Sequence, residues 1–208
     1  MTSLTLNQEF SRLASDEQVT NTAQALEANG LHTIVVDTSE QARTSVLAMI
    51  PSGVQVYNPP SRTLEQIGVA ADIETATRFQ PLRARLRSMD QTTQRSEIRQ
   101  LTGSPDVVVG SVHAITEQGQ VLIASASGSQ LGAVVFGAGT VIWVAGTQKI
   151  VHTLGEGFRR IQEYSYPLED ERTRQVYGQP SAINKILIVN GERPGRITIV
   201  LVKENLGF

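Results

Sequence analysis

Cysteine is absent from this 208-residue chain, and the absence removes several chemistries at once. The chain can form no disulfide, thiolate nucleophile, thiolate zinc site or cysteine-held iron–sulfur cluster. A fold of this size buries on the order of 70% of the surface its unfolded chain exposes, so no staple is required. At about 150 residues per domain, one large domain is favoured over two small ones, and residues 1–208 read as a single unit. Histidine and lysine are scarce, with three of each: His32, His113, His152, and Lys149, Lys185, Lys203. A charge excess is also missing, since 18 basic and 20 acidic side chains leave −2. That balance argues against bulk capture of nucleic acid or of an anionic membrane. No apolar run approaches the roughly 18 residues of a membrane span, and the first residues lack the basic-then-apolar plan of a signal peptide. The expectation is a soluble, cytoplasmic protein with neither membrane nor nucleic acid as partner.

Arginine supplies nearly all the positive charge. Six arginines fall between Arg78 and Arg99, against only Asp90 and Glu97. The stretch reads either as a solvated helical face or as a basic rim over a ligand cleft. Elsewhere the pattern is one of alternating elements. Ser15-Asp16-Glu17-Gln18 is a capping box opening a helix that Asn29-Gly30 stops. Leu31–Val36 is rich in β-branched residues and reads as a strand; Thr38-Ser39-Glu40 caps a second helix that Pro51 ends. Val54–Tyr57 reads as another strand, followed by a loop and a helix from Leu64. This order implies crossover units and a mostly parallel sheet with helices on both faces, a three-layer α/β fold. Residues 72–103 read as an arginine-rich helical insertion before a buried strand at Asp106–Val109. Further strands are expected at Val121–Ala124, Val141–Ala145, Ile186–Val189 and Ile197–Val202, with a helix over Thr153–Glu163.

Ligands of open α/β sheets bind beyond the carboxyl ends of strands. The loop Asn58–Thr63 fits that address: Ser61 and Thr63 bring hydroxyls and helix-start amides favour an anion, unless Ser61 is only an N-cap. Gly110–Gly119 fits it too, with Ser111, His113, Thr116 and Glu117 in ten residues and Gly119 allowing close backbone approach. His113 and Glu117 are four apart, the spacing of two metal ligands on a helix. The segment reads as strand and turn, so no metal is expected. Glu117 could instead be a nucleophile or general base, with His113 beside it. Ser127, Gly128, Ser129 and Gln130 form a donor-rich loop suited to cradling phosphate or carboxylate, or a flexible turn. No Walker or dinucleotide fingerprint occurs, and no cofactor is expected.

Several long motifs then resemble one family. Gly110–Gly119, Ile123–Leu131, Val141–Val151, and the C-terminal Pro194–Thr198 and Lys203–Phe208 are similar to the lactate-utilisation (LUD) domain family, in order and over almost the whole chain. The resemblance implies the fold of ribose-5-phosphate isomerase and class I CoA transferases. Ser61-Arg62-Thr63-Leu64 resembles the phosphate-binding turn of the sugar-phosphate isomerases. Thr116-Glu117-Gln118-Gly119 is similar to the CoA-transferase motif whose glutamate attacks the acyl thioester. The family implies a small anionic ligand (carboxylate, phosphate or CoA ester) and a role in organic-acid utilisation beside iron–sulfur redox subunits, with a homodimer admitted. The alternative is an enzyme acting on a phosphosugar or acyl-CoA through Glu117. Fold alone does not decide between them.

Overall fold

Capping chemistry sets the first elements. In the computed structural model, which describes residues 6–208, the Ser15 hydroxyl accepts the Gln18 amide while the Gln18 side chain accepts the Ser15 amide, opening α1 (Asp16–Ala28). After β1 (His32–Val36), Thr38 and Gln41 form the same box at the start of α2 (Ser39–Met49). There follow β2 (Gln55–Tyr57), α3 (Arg62–Gln66), α4 (Val69–Thr75), β3 (Gln80–Pro81), α5 (Leu82–Ser88) and α6 (Arg95–Gly103). The second half holds β4 (Val107–Ser111), β5 (Ala114–Thr116), β6 (Val121–Ser125), β7 (Thr140–Gly146), β8 (Ile150–Val151), α7 (Leu154–Arg160), α8 (Tyr166–Tyr177), β9 (Lys185–Val189) and β10 (Ile197–Val202).

Six strands form one fully parallel sheet in the order β1-β10-β7-β4-β2-β3. Successive side chains of its central strands enter opposite cores, as the two-residue period requires. Val141, Trp143 and Ala145 of β7 face one side with Ile199 and Leu201 of β10; Ile142 and Val144 face the other with Val200 and Val202. Helices α2 and α4 cover the second side through Ala42, Val46, Val69 and Ile73, while α1 covers the first through Val19 and Leu26. This is a three-layer α/β domain.

The six-stranded sheet is not the whole of the β structure. A second sheet, β8-β5-β6-β9, lies on the α1 side and mixes antiparallel and parallel pairs. Its inner residues Ile115, Val121 and Ile123 join the first core, and its outer Ala114 and Leu122 pack under α7 and α8 with Ile161 and Tyr164. The expected helix at 153–163 continues past Ile161 through a wide turn, where the Tyr166 amide bonds to Ile161 O, into α8. Pro167 has no amide to give and its ring crowds the turn before it, so the helix widens there instead of continuing regularly.

The arginine-rich segment is helical and does not rim the cavity. It is broken into short helices, because Pro81 starts one and the Asp90 carboxylate ties the amides of Thr92 and Thr93 into a turn. It contributes no residue to the cavity described below. Arg83 and Arg87 pair with Glu74 and Arg85 pairs with Glu97, so much of the local charge is neutralised within the segment and the helix before it. No helix among the described residues is long and apolar enough to cross a membrane.

Candidate functional site

Three neighbouring parallel strands, β2, β4 and β7, release their carboxyl ends side by side. From β2 comes Asn58-Pro59-Pro60-Ser61, with Ser61 capping α3 through the Leu64 amide. From β4 come Ser111, Val112 and His113. A single 3-10 turn, Thr147–Lys149, follows β7 and aims Lys149 back under the other two loops. Opposite them, β6 runs into the serine-rich loop, and α8 with the following segment closes the side. Together they enclose a cavity of about 430 Å³. Ser61, Thr63, Ser111, His113, Ser127, Ser129 and Gln130 line it, as do Arg62, Trp143, Lys149, Glu169 and Arg172.

Lys149 is the centre of this arrangement. It is 1% exposed, and its Nζ donates to Thr63 Oγ1, Ser111 Oγ and Val112 O, each at 3.0 Å. Every partner is neutral. Burial, and then the buried Arg160 guanidinium, push its pKa well below the ordinary lysine value. Arg160 itself is completely buried and held down to about 10 by desolvation. It donates to the carbonyls of His113, Gln148 and Phe10 and to Ser165 Oγ, which fixes the two turns carrying His113 and Lys149. His113 Nδ1 lies 3.2 Å from the Ala124 amide and accepts from it, so the neutral ring carries its proton on Nε2. Burial, helped by Lys149 and Arg160, pushes the His113 pKa down to about 3. At neutral pH it is an uncharged donor.

The tail seals the floor. Thr63 Oγ1 donates to Leu206 O at 3.3 Å and Gln148 Nε2 donates to the same carbonyl at 2.8 Å. Gly207 has φ +63°, and a Cβ there would stand 2.3 Å from Thr63 Oγ1. On the α8 wall, Glu169 and Arg172 form a two-pronged pair at 2.7 Å, while Arg62 at the mouth pairs with Glu65 at 2.8 Å.

Glu117, Thr116 and Gly119 are not in this lining. They form the tight turn between β5 and β6, against α1 and at the opposite end of that hairpin from the cavity. Thr116 is buried with its hydroxyl accepting the Gln120 amide, and Gly119 has φ +77° with the backbone of α1 2.7 Å from where a Cβ would lie. The Glu117 carboxylate is taken by Gln18 Nε2 at 2.9 Å and His152 Nδ1 at 2.8 Å. The four residues that resemble a catalytic motif thus lie in a turn outside this cavity. Gly128 sits within the serine loop at φ +80° without lining the cavity. No group of three or more acidic or histidine side chains that could hold a metal occurs among the described residues. Lys149 belongs to no motif that marks it in the sequence as a site residue. The signal was present: it is the one charge inside the apolar stretch Val141–Val151.

The chain matches the family model of the LUD domain over residues 19–202. It belongs to the LUD-domain family. Among solved structures, the LUD chain is similar to a DUF162 family protein from Deinococcus radiodurans at 14% identity, covering 92% of this chain and 99% of that one with a TM-score of 0.57. That likeness bears on the fold. A D-ribose-5-phosphate isomerase in complex with phospho-erythronic acid matches at 11% identity, over 81% of this chain and 95% of that one, TM-score 0.40. The eIF2B beta of Chaetomium thermophilum matches at 15%, over 57% and 44%, TM-score 0.37. No curated protein matches the LUD chain.

Proposed function

We propose that this LUD-domain protein binds a small anionic ligand, a carboxylate, phosphate or CoA ester, in the cavity over Lys149. One observation carries the reading. The lining holds three basic side chains, Arg62, Lys149 and Arg172, against a single carboxylate side chain, Glu169, which Arg172 already engages. Lys149 is left with hydroxyl and carbonyl partners only. An entering anion favours the protonated form of Lys149 and pairs with it in a low-dielectric site, where one charge pair is worth far more than in water. Ser61, Ser127 and Ser129 add hydroxyl donors at the rim.

The family resemblance supports the wider setting: lactate or other organic-acid utilisation in the cytoplasm, beside redox subunits that carry the iron–sulfur clusters a cysteine-free chain cannot hold. Glu117 has no part in this reading, being engaged by Gln18 and His152 at the other end of the β5–β6 hairpin. The test is thermal stabilisation by lactate, sugar phosphates, CoA esters and neutral analogues of each, because a ligand preferring the native state raises its melting temperature. Anions, and not their neutral analogues, are expected to stabilise the protein, and Lys149→Met and Arg62→Gln are expected to reduce the effect. Equal stabilisation by neutral analogues would overturn the reading.

A further inference from the structure

We propose that Ser111 and Lys149 form a serine–lysine dyad that hydrolyses small esters or thioesters through an acyl-serine, with His113 donating to the developing oxyanion. The inference rests on the cavity being the ligand site, though not on the charge of what enters.

The nitrogen of Lys149 has four directions, and all are occupied: its own Cε and three oxygens at 3.0 Å. The amine therefore cannot itself attack a substrate. Its neighbours decide where the protons lie. Val112 O can only accept, so it takes one N–H. Thr63 Oγ1 gives its own proton to Leu206 O and takes a second N–H. The remaining direction faces Ser111 Oγ. With the amine neutral, its lone pair accepts the Ser111 hydroxyl proton and every group is satisfied. With the amine protonated, the Ser111 proton turns to Thr63 Oγ1, 3.1 Å away. The network thus accommodates both states of a proton shared between a base and a nucleophile.

The charged and titratable surroundings favour the base. From α7, Arg160 faces Lys149; from the β4–β5 turn, His113 does. No carboxylate is among the Lys149 contacts, and burial disfavours the ammonium further. A serine is activated by an adjacent base within about 2.6–3.2 Å, and serine–lysine pairs are an established variant of that arrangement. Ser111 is partly exposed at the carboxyl end of β4, and both it and His113 line the cavity. Because His113 Nδ1 is committed to the Ala124 amide, its Nε2–H is a neutral donor of the kind that polarises a carbonyl.

The step balances without a further reactant. As Ser111 Oγ bonds the acyl carbon, its proton passes to Lys149 Nζ and the carbonyl oxygen becomes an oxyanion facing His113. Collapse breaks the bond to the alkoxide or thiolate, which leaves with the proton from Lys149. Water then attacks the acyl-serine, giving Lys149 a proton that returns to Ser111 Oγ as the carboxylic acid departs and releases its own proton to solvent as a carboxylate. The anion that the site attracts is then the product.

The probe is p-nitrophenyl acetate, which is neutral and so separates this inference from anion binding. The wild-type protein is expected to release nitrophenolate with a rate that rises with pH to a plateau as Lys149 deprotonates. An acetyl group is expected on the peptide carrying Ser111. Ser111→Ala is expected to lose at least about a hundredfold in rate while still folding, with a melting temperature lowered by no more than the loss of its hydrogen bonds to Lys149 and Thr63. Lys149→Arg keeps the charge but cannot deprotonate, so it is expected to fail as well. Were Lys149→Arg to misfold, Ser111→Ala and the adduct site decide alone. Release equal to that of Ser111→Ala, or acetyl found only on Lys185 or Lys203, would overturn the dyad. Stabilisation by anions without an acetyl-Ser111 adduct would overturn it too, while leaving the anion reading intact.

Discussion

At the scale of single residues, the floor of the cavity depends on small tolerances. Gly207 sits in the left-handed region and presses its backbone on Thr63, one of the three oxygens around Lys149. Gly207→Ala adds both a strained backbone and a 2.3 Å contact. It is expected to lower stability by about 1–3 kcal/mol in chemical denaturation and to weaken ligand binding as the Thr63 contact shifts. His113 gives a pH signature. Its pKa is held near 3 in the native state against an ordinary 6.5, so the unfolded chain binds the extra proton first. Stability therefore rises with pH across that interval and is lost as pH falls from about 6.5 towards 3. His113→Asn, whose side-chain oxygen can still accept the Ala124 amide, is expected to flatten this part of the profile of melting temperature against pH. An unchanged slope would show that His113 is not the group being protonated.

At the scale of elements, what was legible followed local chemistry. The capping boxes at Ser15 and Thr38 are readable because a hydroxyl and a glutamine three residues apart satisfy each other's backbone. The central strands are readable because both faces are buried and their sequences are continuously apolar. The second sheet was not readable as such: β5 and β8 have three and two residues, too few for a period to show, and their pairing joins distant parts of the chain. Helix α8 hides because its sequence is mostly polar and a widened turn precedes it. The place of the Thr116–Gly119 turn was hidden for a related reason. A tetrapeptide likeness carries chemistry only if the fold delivers it to a cavity, and here it delivers Glu117 to α1 and His152. Glu117→Gln is accordingly expected to cost no more than about 1 kcal/mol, as for a partly exposed pair, and to leave ligand stabilisation and esterase rate unchanged. A hundredfold loss of either would restore Glu117 to the site.

At the scale of the whole molecule, the site exists because three parallel strands end together and a second sheet with α7 and α8 closes over them. Much of the lining was foreseen from loops at strand ends: Ser61, Thr63, Ser111, His113 and the serines of 127–129 do converge. The lysine beneath them was hidden by its setting, since a charge inside an apolar run gains its meaning only when its partners are known. Those partners, Thr63 and Ser111, lie 86 and 38 residues away in sequence. Trp143, the sole tryptophan, is buried in the same wall and reports on the cavity directly. Titrating its fluorescence with a panel of carboxylates, phosphates and CoA esters is the most direct measurement. Saturable change with an anionic ligand, absent with its neutral analogue and abolished in Lys149→Met, is the predicted result. A Trp143 signal indifferent to every anion at millimolar concentration, or identical for neutral analogues, would contradict it.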